Sequence, residues 1–218
     1  MSKPPHQSQI RTDVRRQPDR QDGRRTSLNE ILDSSYVAHV SFVVDGSPRV
    51  IPTLHARAGD VLYLHGSPAA GFLRAARKGQ ELCVAVTQLD GLVLARSAFH
   101  HSANYRSAVI YGAATRIEDP SEKRSALDTF VDAIIPDRRS SLREMTDTDI
   151  RQTEIVSVPL DEWSVKTRTG PPSDEEEDYA LPIWAGVVPL TTVHGAPEPD
   201  HHTSPDLPLP EHLKKVLG

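Results

Sequence analysis

Leu64-His65-Gly66-Ser67-Pro68 brings a histidine, a glycine and a hydroxyl to one corner of the chain. An apolar run ends there, the glycine lets backbone approach a ligand, and Ser67 followed by Pro68 reads as a capped helix start. Free N–H groups at such a start attract phosphate, and Arg74 and Arg77 follow to add charge. The plainer reading is a turn that leads into a helix. Arg49-Val50-Ile51-Pro52-Thr53-Leu54 is a β-branched run broken by proline, which suits a sheet edge. Amide and carbonyl groups left free at that edge can pair with the polar edge of a flat heteroaromatic ring; otherwise this is an ordinary edge strand.

His100-His101-Ser102-Ala103-Asn104-Tyr105-Arg106-Ser107 gathers polar groups just before a long apolar run. Arg106 offers a fork and Asn104 and Ser107 offer hydrogen bonds, a set suited to a phosphate or a polyol chain. The paired histidines invite a metal, but no ligand set has zinc spacing, and His201-His202 stands in a Pro-rich tail. No metal site is expected. Lys166 and Arg168 alternate onto one strand face, beside Trp163, which reads as core. Trp184, in PIWAGVVPL, can lid a flat ligand or anchor a contact between subunits.

These groups need elements to hold them. Thr26 or Ser27 reads as the cap of a first short helix. Residues 36–44 and 49–57 alternate around Asp45-Gly46-Ser47-Pro48, a hairpin pattern, and 61–66 make a third strand. A helix is expected from Pro68 to a stop at Gly79, then a hairpin of 81–89 and 91–99 around Asp90-Gly91. A long strand follows the polar loop at 100–107. Residues 121–137 have helical spacing, with Leu127, Phe130, Val131, Ile134 and Ile135 on one face. Residues 153–169 read as a last strand. The acidic run 174–178 reads as a solvated, mobile loop, and 180–190 as a segment folding back. Most connections are too short for parallel crossovers. The fold class is therefore mainly β: an antiparallel barrel with flanking helices.

The chain has 218 residues, one cysteine and a net charge of −5. Cys83 in LCVAV reads as a small buried hydrophobe, and no intrachain disulfide is possible. No run approaches the ~20 apolar residues that span a bilayer. The N-terminus lacks a secretory apolar core, so a cytoplasmic protein is expected. No basic stripe interleaves with aromatics, which argues against nucleic acid. Glycine-rich nucleotide loops and nucleophile elbows are missing too. Residues 1–25 read as a disordered tail, 26–190 as the folded domain and 191–218 as a second tail.

The element order, with RVIPTLHA, LYLHGSPAAGFLRAARKG, NYRSAVIYGAA and KTRTGP followed by PIWAGVVPL, resembles the pyridoxamine phosphate oxidase-like, FMN-binding split-barrel superfamily. Within it the chain looks most like the flavin-nucleotide-binding proteins related to nitroimidazole-resistance reductases. The resemblance covers about residues 26–190. It implies a six-stranded antiparallel Greek-key split barrel that dimerises with FMN at the subunit interface. Pro52, Thr53 and Leu54 would line the ring through backbone groups. Leu64, His65, Gly66 and Ser67 would lie near ring and phosphate. Asn104, Arg106 and Ser107 would reach the phosphate or ribityl side, and Lys166, Arg168 and Trp184 would come from the other subunit. A histidine near the flavin in nitroimidazole-resistance proteins matches His65, which is then the candidate catalytic residue. The Arg-x-His element of the vitamin B6 oxidases is missing, so the implied activity is reduction of a small oxidised acceptor, such as a nitroaromatic. Alternatives are a flavin carrier without turnover, a split barrel holding deazaflavin or haem (with His100, His101 or a tail histidine as ligand), and a cofactor-free dimer.

Overall fold

The computed structural model describes residues 11–217; residues 1–10 of the expected N-terminal tail lie outside the described residues. Its centre is the hairpin of β2 (Val37–Val44) and β3 (Ser47–Ala58). Asp45 (φ 49°) and Gly46 (φ 74°) both adopt left-handed backbone, so the turn matches the twist of its strands. Period-two alternation then buries Ala38, Val40 and Phe42 on one face of β2. Next come β4 (Val61–Gly66), α2 (Gly71–Arg77), β5 (Glu81–Leu94), β6 (Ser102–Ala113) and β7 (Thr115–Arg116). Then follow α3 (Pro120–Ile134), α4 (Asp147–Gln152), β8 (Glu154–Pro159), β9 (Glu162–Arg168), β10 (Gly186–Pro189) and α5 (Glu211–Leu217). Before the hairpin stand β1 (Gln21–Asp22) and α1 (Arg25–Asp33).

All strand pairs are antiparallel. Nine strands run β1-β9-β6-β5-β2-β3-β4-β8-β7, and β10 adds to β5. The mainly-β class is as expected, but the described residues form ten strands rather than six. Part of the excess comes from short additions at the edges, β1, β7 and β10. Part comes from 153–169, which breaks at Leu160-Asp161 so that β8 joins β4 while β9 joins β6.

Two local expectations need correction. Asp90-Gly91 is not a hairpin turn: β5 runs through it, with a bulge between Leu89 and Gly91 against β6. Neither residue has the positive φ such a turn requires. Gly91 is needed for room, because a Cβ there would stand 3.0 Å from Val187 and 3.1 Å from the Val188 carbonyl of β10. The second correction concerns α2, which begins at Gly71 and not at Pro68. Ser67 Oγ accepts from Ala69 N–H (3.3 Å) in a preceding turn. The helix does stop at Gly79 (φ 71°), whose successor Gln80 N–H reaches back to Ala75 O at 3.1 Å.

Leu28, Ile31 and Leu32 of α1 and Phe72 and Leu73 of α2 pack on Val40, Leu62, Leu64, Val84 and Ile110 in the main core. A smaller cluster under α3 joins Phe130 to Ala56, Ile117 and Ile155. Asp119 caps α3 by accepting from Ser121 and Glu122 N–H, both at 2.9 Å. Neither Thr26 nor Ser27 caps α1, which starts at Arg25. Asp22 anchors that end instead, accepting from Arg24 N–H (3.0 Å) and Ser27 Oγ (2.7 Å).

Structure extends past both ends of 26–190. Arg11 pairs with Glu81 and Glu162 and lies over the Tyr111 ring, and β1 adds to β9. Tyr36 Oη and His194 Nε2 are hydrogen-bonded at 2.9 Å. In α5, His212 is buried beside Arg138. No helix among the described residues is long and apolar enough to cross a membrane.

Candidate functional site

β3 changes partner partway along. It pairs with β2 from Ser47 to Leu54, then with β4 from His55 to Ala58. Where it leaves β4 the sheet forks. One lip is the β3 segment carrying Pro52, Thr53 and Leu54, laddered on its β2 side alone. The other is the end of β4, where His65 and Gly66 pair only with Ile155 and Glu154 of β8. The RVIPTLHA and LYLHGSP motifs therefore meet at one fork, where a proline-bearing strand is tolerated because its second edge is open.

Leu64 lies wholly in the core, in register with His55 on one side and Val156 on the other, so it is not open to the fork. His65 is half-buried, its ring edge-on to Phe130 at 4.3 Å between centroids. His65 Nδ1 is buried without a hydrogen-bond partner in the described structure. Burial pushes the imidazole below its ordinary value, which favours the neutral ring. Ser67 is exposed, and its hydroxyl is used in the turn before α2. The helix start expected at Pro68 lies at Gly71 instead, and α2 has seven residues with no side-chain cap.

A second group lies on β6 and β9. Cross-strand pairs Tyr105–Arg168 and Ser107–Lys166 bring Asn104, Arg106, Ser107, Lys166 and Arg168 together. Most of their polar atoms are satisfied within the chain. Asn104 Nδ2 donates to Gly170 O (3.1 Å), and Arg168 Nη1 donates to Asn104 Oδ1. Burial, then the charge of Arg20, lowers the Arg168 guanidinium below its usual value. Ser107 Oγ donates to Lys166 O (3.3 Å), and Lys166 Nζ to Arg16 O (2.9 Å). Arg106 is held by Asp90. So the expected Arg106 clamp already has an acid in its fork. The assignment of 104–107 and 166–168 to opposite subunits is also not required, since one chain joins them. Within one chain, β5 and β2 separate this group from the fork.

Trp184 is 67% exposed, its ring lying against Gly186, where a Cβ would stand 3.1 Å away. The segment leading to it is anchored by Asp174, which accepts from Arg96 N–H (2.9 Å) and Nη1 (3.0 Å). Burial raises the Asp174 carboxyl, but the Arg96 hydrogen bonds outweigh it and leave it below the usual range. Arg96 also lies 5.2 Å from the Tyr179 ring centroid. The sequence reading missed this anchor, because a buried aspartate at the head of an acidic run looks like its solvated neighbours. His100 Nε2 lies 3.3 Å from Glu175, and His101 Nδ1 is 2.8 Å from Ser97 O. Among the described residues no three His, Cys, Asp or Glu side chains converge as a metal site.

A family model described as pyridoxamine 5′-phosphate oxidase matches residues 24–167. Two solved structures resemble the chain over nearly its whole length. The flavocytochrome Anf3 from Azotobacter vinelandii is 41% identical, covering 95% of this chain and 97% of that one, with a TM-score of 0.90. An FAD- and haem-binding protein from Mycobacterium smegmatis is 39% identical, covering 91% and 98%, with a TM-score of 0.88. A candidate 5-nitroimidazole antibiotic resistance protein from Bacteroides thetaiotaomicron shares the fold at 24% identity, covering 67% and 85%, with a TM-score of 0.57. No curated protein matches the chain.

Proposed function

The chain belongs to the pyridoxamine 5′-phosphate oxidase family, and from that premise we propose that it is a homodimeric, flavin-nucleotide-binding oxidoreductase. The observation that carries this reading is the end-to-end likeness to a flavocytochrome and to an FAD- and haem-binding protein. The residues present fit a flavin. The open edge of β3 at Pro52, Thr53 and Leu54 offers backbone groups to a ring with alternating donors and acceptors. The orphaned Nδ1 of His65 across the fork lacks the partner that a buried polar atom needs. When bound, the flavin supplies two-electron transfer to a small oxidised acceptor. The chain would hold and orient it, and His65, whose burial favours the neutral ring, is our candidate to hydrogen-bond the acceptor.

A homodimer suits the surface. Val37, Val43, Val50, Leu89 and Leu92 are exposed on strands β2, β3 and β5, and apolar exposure of this kind supports reading that face as a dimer surface. A second copy would also bring its own β6–β9 group and Trp184 toward the fork, which one chain keeps apart.

A second reading adds haem, favoured by the same two relatives. His100 and His101 each have one ring nitrogen engaged, and the ring of His65 has one nitrogen orphaned. The test is the absorbance spectrum of the purified protein, followed by release and mass measurement of any chromophore. Flavin bands are expected, with a Soret band if haem is the second group. A protein that stays colourless after incubation with FMN, FAD and haem refutes both readings.

A further inference from the structure

Between the tip of the β2–β3 hairpin and one face of α2 lies a cavity of about 330 Å³, lined in part by Val43, Val44, Asp45, Arg74, Ala75 and Lys78. Its size is at the lower end for small-molecule sites. Arg74 and Lys78 are one helical turn apart, so their cations stand side by side at a mutual cost. Both are exposed, and neither side chain has a hydrogen bond or ion pair among the described residues. Their neighbour Arg77 points elsewhere and is held by buried Glu154 at 2.8 Å. Arg106 is taken by Asp90, and Arg168 by Asn104. Arg11, beside a second cavity of about 270 Å³, is held by Glu81 and Glu162. Thus the cations flanking the first cavity are free, whereas these others are neutralised or tied.

The cavity wall packs against β3, the strand that carries one lip of the fork. Gly71 lines it, and a Cβ on Gly71 would meet Phe42 at 2.9 Å and Ile51 of β3 at 3.9 Å. Arg49, cross-strand from Phe42, is on the same sheet face. Asp45 is the one acid on the lining, leaving the rim net positive and providing an acceptor for a ligand hydroxyl or amine.

We propose that this cavity binds a phosphate ester, with Arg74 and Lys78 gripping the phosphoryl oxygens and the valines taking the apolar part of the ligand. The ester has two possible sources, the tail of a flavin nucleotide seated at the fork or a separate phosphorylated molecule. In the first case the inference rests on the flavin reading; in the second it stands alone.

The full-length protein and its Arg74→Gln/Lys78→Gln variant are titrated calorimetrically with riboflavin, FMN, FAD and AMP. Both residues are exposed, and matched thermal melts establish that the variant is folded. A preference for FMN or FAD over riboflavin that falls roughly tenfold in the variant assigns the cavity to the flavin tail. Unchanged flavin affinity with roughly tenfold weaker AMP binding assigns it to a separate ligand. Arg74→Lys/Lys78→Arg, which keeps both charges, retains binding in either case. If wild type binds no flavin, the flavin reading fails and the AMP arm still judges the cavity. If no phosphate-bearing probe loses affinity in the Gln variant, the proposal is wrong.

Discussion

Arg106 donates from Nε and Nη2 to the two carboxylate oxygens of Asp90, at 3.0 and 2.8 Å. Asp90 is the residue that β5 inserts at its bulge, between the pairs Leu89–Tyr105 and Gly91–Asn104. The Arg106 guanidinium thus ties the extra residue to the neighbouring strand, and Asp90 raises its pKa in return. Both side chains are about one-third exposed, 39% and 32%, so solvent screens the pair and its worth is about 1 kcal/mol or less. Arg106→Ala and Asp90→Ala should each cost about that much, and the double variant no more than the larger single loss. Urea denaturation of the four proteins checks it; strict additivity would show that the pair is a crystal-like ornament without coupling.

Gly71→Ala should destabilise by about 1–3 kcal/mol, because its methyl group would overlap the Phe42 ring at 2.9 Å. Gly23→Ala, with nothing within 4 Å and no left-handed backbone, is the control and should be near neutral. Urea midpoints for the two variants separate steric overlap from a generic glycine effect.

Stability should fall as pH drops below 6.5. Burial lowers the imidazoles of His55 and His65 from that ordinary value, so the native rings stay neutral where the unfolded chain takes up protons. Above 6.5 both states are neutral and the stability is fully present. Below it, up to about 1.4 kcal/mol per pH unit is lost for each histidine until its native ring also titrates. Urea midpoints between neutral and mildly acid pH should show the slope, and His65→Gln should flatten part of it.

Asp174→Asn should loosen the segment that carries Trp184. The substitution removes the charge that pairs with Arg96 while keeping the side chain's shape. Faster chymotryptic cleavage after Tyr179 and Trp184, with the melting of the barrel little changed, is the expected result. Equal cleavage rates would mean that β10 alone anchors the segment.

Val50→Glu places a charge on an apolar side chain that is 59% exposed in the single chain. If that face joins two copies, light scattering should report a shift from dimer to monomer, with flavin released as the fork loses its second wall. An intact flavin-bound dimer would place the interface elsewhere.

The β2–β3 hairpin was legible because Asp45-Gly46 carries turn chemistry and the flanking residues alternate. The fork was half legible. Pro52 announced an open edge and Gly66 a strand end, yet their meeting depends on β3 changing partner at Leu54–His55, which no local pattern encodes. Asp90-Gly91 misled for a physical reason: the same dipeptide serves a tight turn or a bulge that makes room for another strand, and the difference lies in Val187, almost a hundred residues away. The charged groups were the least legible. Arg77, Arg106 and Arg168 all looked available in sequence, and each found a partner only through tertiary contacts.

One edge of β5 serves two masters in succession, β2 at Cys83–Ala85 and β10 at Gly91–Leu94. The returning C-terminal segment therefore shields main-chain donors and acceptors that would otherwise be a template for strand addition by another molecule. A chain cut short before Gly186 would keep its barrel but present that naked ladder, and such a product should clump as its concentration rises.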